Sequence, residues 1–216
     1  MPLSLRFGGS MEDLSARLAT LAAFWNQIEK RVKEVEQLRS GRPAIPAINE
    51  LRYAGRKFVD AWSYIAKPNP SDEDNDNCEE CIVVANQYLI NADHDAIDAA
   101  LVFVYRTVYD VKKKYGAKRL LGAVPNFLDI LDEIDLYKSM VSTSREDRAK
   151  RTEIYTEIIP HFDRMMIVYK KIDQAERHLL ARVKMWDFFK TIFAILGITG
   201  SIASLFGIYF IFHPLN

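Results

Sequence analysis

Only two cysteines occur in 216 residues, which excludes a disulfide framework. Low-complexity and disordered character are missing as well, because 49% of the residues are hydrophobic and 27% are charged. No strand-like alternation of useful length and no internal repeat occurs, so the expected class is all-α. Strings of the GxSxG, GxxxxGK[ST] and GxGxxG types are absent, and His94, His161, His178 and His213 form no HExxH pair. The common hydrolase, nucleotide-loop and zinc-protease signals are therefore missing, and no catalytic residue, metal or cofactor is expected. The opening MPLSLRFGGS contains no long apolar stretch and meets charge at Arg6, so no signal peptide is expected there.

The most informative absence is local. All 58 acidic and basic residues lie at or before Lys190, and the last 26 positions carry none. The overall balance, 29 Lys+Arg against 29 Asp+Glu, is thus an average over two unlike regions. Thr191 to Phe212 reads TIFAILGITGSIASLFGIYFIF, 22 residues whose helix is roughly 33 Å long, against a bilayer hydrocarbon core of about 30 Å. Trp186, Phe188, Phe189 and Tyr209 flank it as an interfacial belt. Arg182, Lys184 and Lys190 precede it, whereas only His213 follows. These features predict a helical domain over 1–190 on the cytoplasmic side, a spanning helix over 191–212 and a short external tail over 213–216. The lipid bilayer is then the first expected partner.

Small residues are sorted within the run. At 100° per residue, Ala194, Gly197, Gly200, Ser201, Ser204 and Gly207 share one face, opposite Ile195, Ile198, Ile202, Phe206 and Tyr209. Such a stripe lets helix backbones approach closely and predicts self-association, with four or more copies needed to enclose a pore.

Upstream, amphipathic helices follow one another. Ser10-Met11-Glu12-Asp13 resembles a capping box, and Leu14, Leu18, Leu21, Trp25, Ile28, Val32 and Val35 form three heptads of seam, packed internally or zipped to another chain. A second helix is expected over about 47–67, with Ile48, Leu51, Gly55, Phe58, Trp62 and Ile65 on one stripe. A third runs through Cys81 to about Ile90. A fourth runs from His94 to Tyr115, with Ile97, Leu101, Val104, Val108 and Val111 inward and Gly116 as its C-cap. Pro125 fits the first turn of a fifth helix reaching about Val141, and Ser144 the cap of a sixth. The sixth stripe, Tyr155 to Ile172, crosses Pro160, so the helix kinks there or a new one begins. No breaker follows before the uncharged run.

Weaker motifs fall away on inspection. Ser71 to Asn77 alternates oxygens like a calcium loop, but the required Gly and Glu positions hold Asn77 and Val83. Acids favouring a helix N-terminus or a solvated loop explain it better. Cys78-Glu79-Glu80-Cys81 has metal spacing but no evident fourth ligand, and its glutamates should raise the thiol pKa values. The basic groups remain. Arg52, Tyr53, Arg56 and Lys57 form one, with Arg56 spaced to pair with Asp60. Lys112, Lys113, Lys114, Lys118 and Arg119 form the other. Both suit phosphates, as in an oligonucleotide or nucleotide ligand, or anionic lipid headgroups.

This layout of helical sensor, basic groups at 52–57 and 112–119 and terminal span resembles the small membrane effectors of bacterial anti-phage systems. It is most similar to the channel subunit of Hailong-type systems. The resemblance implies an oligomeric inner-membrane channel, a nucleic-acid-like anionic ligand on the basic groups, and a partner enzyme that makes it. The alternative from the residues alone is a tail-anchored scaffold that recruits another protein through its 14–35 heptads.

Overall fold

The computed structural model describes residues 11–147 and 150–212, with side chains at 12–147, 150–192 and 194. Every regular element among the described residues is helical: α1 (Met11–Leu38), α2 (Ile45–Ile65), α3 (Asp72–Tyr115), α4 (Ala117–Ala123), α5 (Phe127–Glu146), α6 (Arg151–Ile158), a 3-10 turn (Ile159–His161) and α7 (Phe162–Phe212). The capping residue expected before α1, Ser10, lies outside the described residues.

α3 is the axis of the fold. It packs against α1, α2, α4, α5 and α7, and its 44 residues correspond to roughly 66 Å of helix. Cross-helix pairs give its neighbours their directions. Arg17 meets Glu79 and Arg31 meets Asp93, so α1 runs parallel to α3. Asn91 bonds Glu50, Tyr53 packs on Tyr88 and Lys67 pairs with Asp74, so α2 runs antiparallel. Asp98–Arg145 and Tyr109–Asp135 make α5 antiparallel to α3, while Phe103–Tyr169 and Lys114–Glu176 make α7 parallel. The five long helices therefore alternate in direction.

α3 replaces the two helices expected, one after the acidic stretch through Cys81 to about Ile90 and one from about His94 to Tyr115. Polar Asn91, Asp93 and His94 look like a break in sequence, but Asp93 and His94 are buried and Arg31 from α1 pairs with Asp93. The acidic stretch is the start of this helix: the Ser71 hydroxyl and the Asp74 carboxylate cap each other's backbone N–H groups. Lys67 and Ser71 hold the Asp74 carboxyl down at about 2.

The heptads of α1 lie inside the bundle. Leu14, Leu18, Leu21, Ile28, Val32 and Val35 are all buried, and Trp25 packs half-buried, its indole against Gly55 of α2 at 2.9 Å from where a Cβ would stand. On α2 the buried residues are Ala47, Leu51, Ala54 and Ala61, whereas Trp62, expected inward, is 58% exposed. Small side chains let α2 and α3 approach closely, and the bulky stripe straddles that contact. The expected inward face at 97–111 is buried throughout.

Two boundaries differ from expectation, and at Pro160 the second of the two expected outcomes holds. Pro125 lies in the turn before α5, which starts at Phe127 and runs on to Glu146. Ser144 caps nothing: it is buried in the last turn of α5 and donates to the Val141 carbonyl at 2.8 Å. Pro160 sits in the 3-10 turn, so a new helix begins just beyond it.

Candidate functional site

Two basic groups were expected, and the fold keeps them apart. Arg52, Tyr53 and Arg56 are exposed on α2, where Tyr53 packs on Tyr88 at 5.5 Å and Arg56 pairs with Asp60 at 3.1 Å; Lys57 is half-buried beside them. The second group begins at the far end of α3. From Tyr88 to Lys113 the continuous helix advances about 38 Å. One compact ligand cannot bridge the two.

The second group is itself divided. Lys112 lies over the Tyr109 ring, and Lys114 donates to Glu176 at 2.9 Å while covering the Tyr115 ring. Lys112 is thus taken up by a ring of its own helix and Lys114 ties α3 to α7, while Lys113 stays exposed. Gly116 then reverses the chain at φ +79° and α4 starts at once. Leu120 anchors α4 in the core, which turns Lys118 and Arg119 outward. Gly116→Ala is expected to cost about 1–2 kcal/mol in a urea titration, because an L side chain strains that φ and no contact offsets it.

Lys118 and Arg119 open onto α7. With Tyr115, Arg182, Trp186, Asp187 and Lys190 they line a cleft of about 610 Å³. It continues past Gly122 and Leu179 into a second hollow of about 460 Å³ that includes Lys171 and His178. Four cations from two elements thus surround an indole that is 65% exposed, and Asp187, 3.8 Å from Lys190, is the one acid among those lining residues.

Leu179 is the last residue of α7 described as buried. Every side chain from Leu180 to Thr191 is exposed, Met185, Trp186, Phe188 and Phe189 among them, and the helix continues to Phe212. Of the expected stripe, Ala194 is exposed; Gly197, Gly200, Ser201, Ser204 and Gly207 lie outside the described side chains. Among the described residues no helix is long and apolar enough to cross a membrane, and most side chains of the uncharged run lie outside those described.

Cys78 and Cys81 are free and buried. Burial, then the neighbouring Cys81, pushes the Cys78 thiol up to about 11, and burial also raises Cys81, so neither is poised as a thiolate. The glutamates expected to raise them contribute less than burial does. No group of three metal-ligating side chains occurs among the described residues.

Sequence reasoning missed a third cationic place. Arg39 and Arg42 at the α1–α2 turn, Arg106 of α3 and Arg145 of α5 converge on a cleft of about 480 Å³. They are scattered over more than a hundred positions, and only the register of α3 against its neighbours assembles them. The sole local signal was the Arg39-Ser40-Gly41-Arg42 turn, in which Ser40 and Gly41 both take positive φ.

None of the protein-family models, curated proteins or solved structures compared with this chain matches it.

Proposed function

We propose that the chain is a membrane effector, in which a cytoplasmic helical bundle controls a C-terminal helix that self-associates in the bilayer as an ion channel or pore. The observation that carries this reading is α7. It leaves the bundle after Leu179 without ending, exposes apolar and aromatic side chains over the next twelve positions, and leads into the uncharged run. A lone helix exposing Met185, Trp186, Phe188 and Phe189 to water is costly, and a lipid interface or sister helices relieve that cost. Lys118, Arg119, Arg182 and Lys190 gather around Trp186 at this same end, as a collar facing anionic headgroups requires. In this reading those cations touch the membrane, and a soluble ligand is bound elsewhere on the bundle. The resemblance to Hailong-type channel subunits supports the same layout and adds a partner enzyme that supplies a nucleotide-type ligand.

The scaffold alternative relied on the 14–35 heptads for recruitment, and those side chains are occupied within the bundle core. The test is ion flux from liposomes containing the purified chain. Wild type is expected to conduct, while Gly200→Leu and Ser204→Leu, which widen helix–helix spacing, are expected to reduce flux at least about tenfold at equal insertion. Liposomes that stay tight with wild type, with or without added nucleotides, would remove the pore from this reading.

A further inference from the structure

We infer that the cleft between the α1–α2 turn, α3 and the end of α5 binds a small organic phosphate through Arg39, Arg42, Arg106 and Arg145. Four guanidinium groups from three separate places in the chain face one hollow of about 480 Å³, a volume within the range of small-molecule sites. Two carboxylates also line it, and both are engaged. Asp98 accepts from Arg145 at 2.9 Å and from the Tyr155 hydroxyl, and Asp95 accepts from Arg151 at 3.1 Å.

The remaining arginines are uncompensated. Arg39 donates to the Pro43 carbonyl at 3.1 Å, a neutral acceptor, and Arg42 and Arg106 are exposed with no acidic partner among the described residues. Three positive charges held within one cleft repel each other, and an anion of two or three charges relieves that repulsion. Guanidinium forks match phosphate oxygens in geometry as well as charge. The rest of the wall is apolar: Ile45 and Val102 are exposed there, 54% and 39%, which suits the organic part of an ester rather than a bare ion. We assign a soluble ester rather than a lipid headgroup, because Arg106 lies nine residues, about 14 Å, before the end of α3, where α4 and α7 form the collar proposed above to face the membrane. The inference stands without the pore, since binding to this cleft requires neither flux nor oligomerisation.

The experiment is isothermal titration calorimetry on the full chain in detergent, in about 50 mM salt, where phosphate contacts are screened least. The probes are ADP and inorganic pyrophosphate. ADP is expected to bind saturably at one site per chain, with pyrophosphate competing. The double substitution Arg42→Gln/Arg106→Gln is expected to weaken both probes by about 10–100-fold, as loss of two charge-assisted contacts does. Ile45→Ser should weaken ADP and leave pyrophosphate unchanged. All these positions are exposed, so unchanged melting temperatures will show that the variants are folded. Lys118→Gln/Arg119→Gln is expected to bind like wild type. Absence of saturable binding by either probe overturns the inference, and so does wild-type affinity in the Arg42/Arg106 variant. Flux in liposomes is read separately, so a chain that conducts but binds neither probe refutes this site and leaves the channel reading intact.

Discussion

Asp93→Ala is expected to destabilise the bundle by about 3–5 kcal/mol, as breaking a buried ion pair does. Asp93 is 5% exposed, in the middle of α3, and the Arg31 side chain that pairs with it is 14% exposed. Burial pushes the Asp93 carboxyl upward and Arg31 opposes that shift. Truncating Asp93 leaves a guanidinium inside the bundle with no counter-charge, and its desolvation is no longer offset. Arg31 also lies over the Phe162 ring at 5.5 Å, so a displaced Arg31 disturbs the start of α7 as well as the α1–α3 contact. The double substitution Arg31→Met/Asp93→Leu is expected to be far milder, within about 1–2 kcal/mol of wild type, because it removes both desolvation penalties together. Urea titrations of Arg31→Met, Asp93→Leu and the double variant give the coupling energy directly. A cost below about 1 kcal/mol for Asp93→Ala would mean that water reaches Arg31.

Stability is expected to fall by about 2 kcal/mol between pH 7 and pH 5, and His94 is the cause. Its ring is buried, stacked on Tyr155 at 3.9 Å, with Nδ1 lacking any partner. Burial first, and the positive charge of Arg151 second, bring its pKa down from 6.5 to about 4. Between those values the unfolded chain takes up a proton that the folded chain refuses. The stabilisation is therefore complete above pH 6.5 and is lost progressively as pH falls toward 4.

Other groups around the ring act in the opposite sense or not at all in this window. Asp93 and Asp95 have raised pKa values from burial, so they bind protons more readily when folded and favour the native state as pH falls. As pH falls through their raised pKa values they offset part of the loss from His94. Asp98 is held by Arg145 and Tyr155, and the Tyr155 hydroxyl is pushed upward by burial and by Asp98. His94→Phe keeps the stack and removes the titration. Thermal melts of that variant at pH 7 and pH 5 should show most of the wild-type difference gone. An unchanged difference would assign the acid sensitivity to another group.

Periodicity disclosed much of this fold because its main signals are local. The seam of α1 and the inward face at 97–111 follow from spacing alone, and Gly116 marks a helix end that only a residue free to adopt positive φ closes easily. The unity of α3 was hidden because it depends on a side chain 62 positions away. Asp93 reads as a helix boundary until Arg31 is placed beside it. Ser144 misled for a related reason: serine is a good cap in isolation, but here its hydroxyl bonds back to Val141 inside a helix whose end is set by packing. Lys112 and Lys114 looked like binding groups, yet rings of their own helix and a carboxylate from α7 take them up, whereas Lys118 and Arg119 gained company from α7. The arginine cleft was illegible, since no linear window contains more than two of its members.

α7 is a single helix from Phe162 to Phe212, with no proline between Pro160 and Pro214. A regular helix keeps a fixed azimuth of about 100° from each residue to the next. The packing of Phe162, Met165, Ile172, Ala175 and Leu179 therefore sets the helical phase of everything beyond them. In a regular helix a rotation of α7 among its neighbours is passed along its backbone toward residues 191–212, as torque passes along a shaft. In a regular helix the phase of positions 191–212 is thus inherited from packing inside the bundle.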